Sequence, residues 1–311
     1  HLERINENGT EYLGYYESPK TVESTTYFES RLNYANSFGA HDVSGLLVFT
    51  TREGLKANQG NLQLSLPSRN VGLAGRATYS FDGRYFGEFN FGYNGSERFA
   101  ANNRWGFFPS AGVAWLVSNE DFFQRLKPTI SNLKLRYSYG IVGNDQIGDA
   151  HDRFFYLSQV NMNDGGRGAW FGEYLNKGGA GIRINRYANE AITWETATKQ
   201  NYAVELGLWN KVNIIAEYFT EKRKNILMTR AAIPTTMGLQ AAVRANIGRA
   251  SARGVDIQSD YQHVFNKDLW ASARFNFTYS TSKFTVYEEP EYKEYWRSRV
   301  GHSLNQNWGY I

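Results

Sequence analysis

Residues Leu73 to Tyr93 read LAGRATYSFDGRYFGEFNFGY. Before Asp82-Gly83, Leu73, Gly75, Ala77, Tyr79 and Phe81 alternate with Ala74, Arg76, Thr78 and Ser80. After it, Tyr85, Gly87, Phe89, Phe91 and Tyr93 alternate with Phe86, Glu88, Asn90 and Gly92. Successive β side chains point to opposite faces, so this period marks two strands, each with an apolar and a polar side. Asp-Gly between them predicts a type I′ hairpin turn, because both central residues need positive φ. A soluble sandwich can hold such a hairpin. The recurrence of the pattern and the lengths of its connections separate the two cases.

Upstream of the hairpin, a polar segment through residue 23 reads as a loop, followed by a strand from about Thr25 to Phe38. Gly39-Ala40-His41 turns the chain into a second strand through Val43, Leu47 and Phe49. Beyond the hairpin, Asn94–Ser110 reads as a loop and Ala111–Val117 as a strand. Ser118 to Asp121 look like the N-cap and acidic first turn of a short helix that ends before Pro128. Leu133–Ile141 alternates again, and residues 142–193 read as a long irregular segment. Further strands are expected through Tyr202–Leu208, Ile214–Tyr218, Val255–Tyr261 and Ala271–Tyr279, with a tight turn at Asn210-Lys211 and a long connection over 222–250.

About ten strands of roughly ten residues result. At ~3.3 Å rise and ~45° tilt each spans about 23 Å, close to the apolar band of an outer-membrane barrel. Connections at 39–42, 82–83, 118–130, 209–212 and 264–268 alternate with longer ones at 52–69, 95–109, 142–195, 222–250 and after 283. Short periplasmic turns and long extracellular loops give that parity. The expectation is therefore an all-β chain, an antiparallel transmembrane β-barrel segment.

Composition agrees. Aromatics make up 16% of 311 residues, with 21 Tyr and 20 Phe, which suits aromatic girdles. No apolar run approaches the roughly 18 residues of a transmembrane helix, which excludes a helical membrane protein. Mean hydropathy of −0.54 leaves a barrel open, since its strands are apolar only on alternate residues. The absence of Cys excludes a disulfide framework, thiol catalysis and a zinc-thiolate site. A net charge of +4 from 34 basic and 30 acidic residues, interspersed, argues against a nucleic-acid partner.

Four stretches closely resemble the SusC/RagA family of TonB-dependent outer-membrane transporters. They are GRATYSFDGRYFGEFNFGYNGSERFAANNRWGFFPSAGVAW (Gly75–Trp115), LKLRYSYGIVGNDQIG (Leu133–Gly148), WETATKQNYAVELGLWNKVNIIAEYFTEKRKNIL (Trp194–Leu227) and VGHSLNQNWGYI (Val300–Ile311). The resemblance implies a plugged barrel of about 22 strands, in the outer membrane of a Gram-negative, Bacteroidetes-like bacterium. It also implies a SusD-like surface lipoprotein that delivers oligosaccharides or peptides, and energy from a TonB–ExbB–ExbD complex. Residues 1–311 then form part of the barrel domain. Plug, TonB-contacting segment and closing C-terminal strand are not recognised, so an internal piece of a longer transporter is expected.

No enzyme is expected, and no cofactor. His1, His41, His151, His263 and His302 are scattered without metal-ligand spacing. Asp145, Asp149 and Asp152 around Gly148 do not follow a calcium-loop pattern. The sharper expectation is substrate contact by loop aromatics, Trp105 with Phe107 and Phe108 in one loop, Trp170, Phe171 and Tyr174 in another. Asn102, Asn103, Arg104 and Asp164 are the polar neighbours for directional hydrogen bonds. The bland alternative makes these rings belt anchors or loop packing. Arg76, Glu88, Arg136, Glu205, Glu217, Asp256 and Arg274 fall on the polar faces of their strands and are expected to line or buttress the lumen. Two rival functions stay open, a non-transporting adhesive surface β-protein and a soluble all-β glycan-binding domain.

Overall fold

The computed structural model describes residues 20–59, 62–149, 152–307 and 309, so residues 1–19 of the loop expected through residue 23, His1 among them, and His151 lie outside the described residues. The strands are β1 (Glu23–Phe38), β2 (His41–Lys56), β3 (Ser68–Phe81), β4 (Tyr85–Ser96), β5 (Trp105–Leu116) and β6 (Ile130–Asn144). Then come β7 (Gln159–Phe171), β8 (Lys177–Arg186), β9 (Glu195–Leu208), β10 (Val212–Thr229), β11 (Arg244–Val264) and β12 (Trp270–Val286). One short helix, α1 (Leu62–Ser65), sits between β2 and β3. Ten strands make a single antiparallel meander in the order β1-β2-β3-β4-β5-β6-β9-β10-β11-β12, while β7 and β8 pair only with each other. Among the described residues the sheet is open, with β1 and β12 at its edges.

The turns follow from their residues. Asp82 (φ 52°) and Gly83 (φ 59°) both take positive φ, the type I′ pattern that Asp-Gly predicts. Gly39 alone is positive in the two-residue loop between β1 and β2, which is the type II′ pattern. The turn between β9 and β10 centres on Trp209 (φ 52°) and Asn210 (φ 55°), one residue earlier than expected, with the Lys211 N–H donating to the Leu208 carbonyl at 2.9 Å.

Three expectations are corrected. Residues 142–193 are not irregular throughout, because they contain β7 and β8. Residues 117–126 form two 3-10 segments rather than an α-helix, and Ser118 turns its hydroxyl to Asn132 rather than capping. Most strands outrun their predicted ends, so β10 reaches Thr229, β11 starts at Arg244, and Trp105, Phe107 and Phe108 lie in β5 rather than in a loop. The connection at 97–104 is consequently shorter than the one at 117–129. Strand order, not length alone, assigns those two to opposite ends.

The register puts the two faces beyond doubt. Leu73–Tyr93, Gly87–Val113, Trp115–Leu135, Leu135–Val204, Val204–Ala216 and Ala216–Ile257 are direct cross-strand pairs, so the apolar positions form continuous rows on one face. Among the described residues no element packs over that face. Val113 is 61% exposed and Phe89 46%. An apolar surface running the length of a ten-stranded sheet is far beyond what a water-soluble monomer tolerates, whereas hydrocarbon accepts it.

Two aromatic tiers border this face. At the turn end Phe81, Tyr85 and Trp115 stack in sequence at 6.4 Å spacings. The Tyr85 hydroxyl (2.7 Å), the Trp115 indole N–H (2.9 Å) and Arg84 (3.1 Å) all donate to the buried Glu120. Those bonds, Trp115 foremost, hold the Glu120 carboxyl below its ordinary range. At the loop-rich end Tyr93 stacks on Trp105 at 4.9 Å. From Trp105 to Trp115 along β5 is ~33 Å, about 23 Å of height at ~45° tilt, which matches a bilayer's apolar band.

On the opposite face, Gly254 of β11 receives the Phe219 ring. A β-carbon there falls 2.5 Å from the Tyr279 carbonyl oxygen, a backbone atom that has no room to yield. Gly254→Val is expected to cost about 2 kcal/mol by overpacking. A denaturant titration of the full receptor checks this, and an unchanged midpoint contradicts the packing.

Candidate functional site

The polar face carries an open concavity of about 860 Å³ between β1 and β9, with Arg76, Glu88, Asn90, Lys134, Arg136 and Asn201 among its lining. All the expected lumen residues stand on this face. Arg76 pairs diagonally with Glu88 (2.8 Å), and Arg136 bridges Glu205 and Glu217, the latter at 2.9 Å. Asn201 donates to Glu217 at 3.1 Å, Arg274 pairs with Asp260, and Lys134 lies over the Phe86 ring at 5.4 Å. Asp256 sits directly across the strand pair from Glu217. Cations and carboxylates at neighbouring register positions neutralise one another, so the wall is polar yet close to balanced.

At the loop-rich end the chain builds what the strands lack, a buried core. Phe99, Ile147, Phe155, Ile192 and Trp194 cluster there, with Phe108 and Leu227 packed against them. Beside this core Asp152 receives two bonds from Arg244 (2.6 and 2.9 Å), one from Arg186 (3.4 Å) and the Asp149 N–H (2.8 Å). Arg186 is buried and also donates to the carbonyls of Arg153 and Phe154. Both arginines stand over the Phe155 ring at 5.8 Å. Burial raises the Asp152 carboxyl, but the Arg244 bonds and the two positive charges outweigh it and hold the group below its ordinary value. Arg153 ties in the β2–β3 connection by donating to the carbonyls of Gln63, Leu66 and Pro67. The Asp152 carboxylate is thus filled by arginines, and no metal-holding cluster occurs among the described residues.

The expected substrate residues divide. Trp105 is on the outward face, stacked on Tyr93 and seated over Gly95, a belt position. Asn103 donates to the Glu190 carbonyl (2.8 Å), and the Arg104 carbonyl accepts from Ser96 N–H (3.0 Å) and the Trp194 indole (3.2 Å). Both tie loops together. Phe108 packs against the buried cluster, in edge contact with Trp194 at 5.1 Å. Trp170, Phe171 and Tyr174, in contrast, project from the β7–β8 hairpin at 66%, 61% and 81% exposure. Trp170 rests on Gly178, and Asp164 pairs loosely with Arg183 at 3.9 Å on the same hairpin. Sequence reasoning missed Arg186, Arg244 and Arg153, whose partners are distant in sequence. It also missed a second, mixed-charge concavity of about 750 Å³ near Arg52, Arg69, Arg98, Glu97 and Asp145.

Residues 4–308 match the family described as TonB dependent receptor-like, beta-barrel. The chain belongs to that family. Among its relatives are TonB-dependent receptor P3 of Formosa agariphila, 27% identical over 84% of this chain, and TonB-dependent receptor SusC of Bacteroides thetaiotaomicron, 27% identical over 89%. The chain spans 27% and 29% of those two proteins. The RagAB peptide importer in its open-open state shares the fold, with TM-score 0.70 and 22% identity over 91% of this chain and 32% of that one. The siderophore receptor PirA of Acinetobacter baumannii does so more loosely, at TM-score 0.53 and 9% identity over 87% and 38%. These matches bear out the SusC/RagA resemblance. Barrels of this kind lie in the outer membrane of Bacteroidetes, and the exposed apolar rows are the lipid-facing surface.

The Asp152 hub makes loop order depend on pH. A carboxyl held below its unfolded value stabilises fully above that value, about 3.9, and the stabilisation is lost as pH falls through the lower folded value. Protease resistance of the 145–194 loop is expected to persist through neutral and mildly acidic pH and to fail below about pH 4. Arg244→Met should expose the loop at pH 7, costing about 2 kcal/mol once partial exposure is allowed for. Equal cleavage of wild type and variant at pH 7 would contradict this role.

Proposed function

We propose that this chain forms part of the barrel of a TonB-dependent importer for a bulky hydrophilic nutrient, with a glycan as the favoured cargo. Residues 1–311 belong to the barrel domain, and the rest of a longer receptor supplies the strands beside β1 and β12 and the plug. A SusD-like surface lipoprotein delivers cargo, and a TonB–ExbB–ExbD complex energises release through the plug. The observation that carries the glycan reading is the β7–β8 hairpin. Three large rings stand exposed on an extracellular projection with amide and charged neighbours, and ring faces stack on sugars while polar neighbours give direction. The balanced, polar wall of the lumen supports a hydrophilic cargo of this kind. Trp170, Phe171 and Tyr174 are the proposed contacts.

Peptide cargo is the second reading. It is favoured by the extracellular concavity, where Arg52, Arg69 and Arg98 stand with Glu97 and Asp145, charges that suit a zwitterionic chain, and by the fold shared with RagAB.

Calorimetric titration of the full receptor with oligosaccharides and with peptides separates the two. Trp170→Ala with Phe171→Ala is expected to weaken oligosaccharide binding by roughly tenfold, given ~0.5–1.5 kcal/mol per ring, and to leave barrel assembly intact. Unchanged oligosaccharide affinity, alongside peptide binding, would replace the glycan reading with the peptide one.

A further inference from the structure

Cations on the two faces of β9–β12 are treated differently. On the concave side Lys199 pairs with Glu221 (3.5 Å), Arg223 with Glu221 (2.7 Å) and Glu195 (3.3 Å), and Arg274 with Asp260. On the outward side Lys222, Arg253 and Lys283 are exposed, and none forms an ion pair among the described residues. The outward rows of these four strands contain no carboxylate at all.

The register makes these three residues one cluster. Lys222 and Lys283 flank Ser251 in a single cross-strand row, and Arg253 lies in the next row between Thr220 and Thr281. Immediately toward the turns comes a tyrosine row, Tyr202, Tyr218 and Tyr279 around Val255, and then the apolar row Val204, Ala216, Ile257 and Phe277. Lys224 and Arg249, both exposed, extend the basic edge toward the loops. From Val212 to Lys222 the strand climbs ~33 Å, about 23 Å of height at ~45° tilt, the thickness of the apolar band. The basic collar therefore starts where hydrocarbon ends, on the extracellular side, directly above a tyrosine belt.

Cations at the headgroup level that meet no carboxylate among the described residues are placed to take an anion from the membrane. Adjacent strands are ~4.8 Å apart, so Lys222 and Lys283 stand about 10 Å from each other across Ser251, close enough to share one phosphate-bearing headgroup with Arg253 below. We infer that Lys222, Arg253 and Lys283 form a binding site on the outer wall of the barrel for the phosphate of an outer-leaflet glycolipid, with its acyl chains lying on the apolar rows beneath. Lys224 and Arg249 strengthen the local field. The site rests on the membrane orientation given above and is independent of the cargo.

The test is a binding titration of the full receptor in mild detergent with purified lipid A, with enzymatically dephosphorylated lipid A, and with phosphatidylglycerol. Lipid A is expected to bind the wild type and the dephosphorylated form to bind at least tenfold more weakly. Each cation beside an anionic bilayer surface contributes about fivefold, so Lys222→Gln/Arg253→Gln/Lys283→Gln should lose at least tenfold in lipid A affinity. Lys222→Arg/Lys283→Arg should retain it. Heat-dependent gel mobility establishes that each variant is a folded barrel. If the triple variant does not assemble, Lys283→Gln alone carries the test, with a loss of about fivefold expected. Equal affinity for phosphorylated and dephosphorylated lipid, or no loss in the neutral variants, overturns the site. Tighter binding of phosphatidylglycerol than of lipid A overturns the glycolipid assignment and places the collar at the phospholipid leaflet.

Discussion

Hydrocarbon offers no partner to a peptide N–H or C=O, so a chain that crosses it in strands must satisfy every backbone group in the ladder beside it. That constraint accounts for most of this structure. It requires long strands in unbroken antiparallel order, from β1 round to β12, with tight turns where the chain emerges on the periplasmic side. It also separates the two faces completely. A period of two in the sequence becomes a lipid-facing row and a lumen-facing row, and a one-residue slip would exchange them.

Electrostatics follows the same partition. Facing the lumen, Arg76, Arg136, Arg223 and Arg274 find Glu88, Glu205, Glu195 and Asp260 on the neighbouring strands. Between the aromatic tiers the outward rows carry no charge to desolvate, and cations reappear only at headgroup height. Beyond the membrane water is available again, so loops can pack as in a soluble protein. The Phe99–Phe155–Trp194 cluster and the Asp152 hub do so, and they fix the base from which the β7–β8 hairpin projects.

What the sequence made legible is what this constraint writes locally. Asp82-Gly83 announces its turn because the two φ angles demand it, and Leu73–Phe81 shows its faces because lipid enforces the alternation. The sequence points to Asn210 rather than Trp209 as the turn residue because large side chains seldom take positive φ, which Asn tolerates better. The β7–β8 hairpin was invisible for a different reason. It stands in water, so nothing imposes alternation, and its pairing shifts register between Asn161 and Asp164 and again before Ala169. Strand ends blurred likewise where β4, β5, β10 and β11 rise above the membrane. The candidate cargo residues Trp170 and Phe171 were legible as exposed rings, whereas the Arg244–Asp152 contact joins residues far apart in the chain and only the fold brings them together.

The alternation of β9–β11, one residue to lipid and the next to an aqueous lumen, is open to direct measurement. This chain contains no cysteine, so spin labels can be placed singly on a cysteine introduced at each position from Ala203 to Glu205, Ile215 to Glu217 and Asp256 to Gln258 in the full receptor. If that alternation holds, labels at Val204, Ala216 and Ile257 relax with dissolved oxygen in the bilayer, while those at Ala203, Glu205, Ile215, Glu217, Asp256 and Gln258 relax with a water-soluble nickel complex. Uniform access to the nickel complex at all nine positions would contradict it and return the chain to the soluble β-proteins.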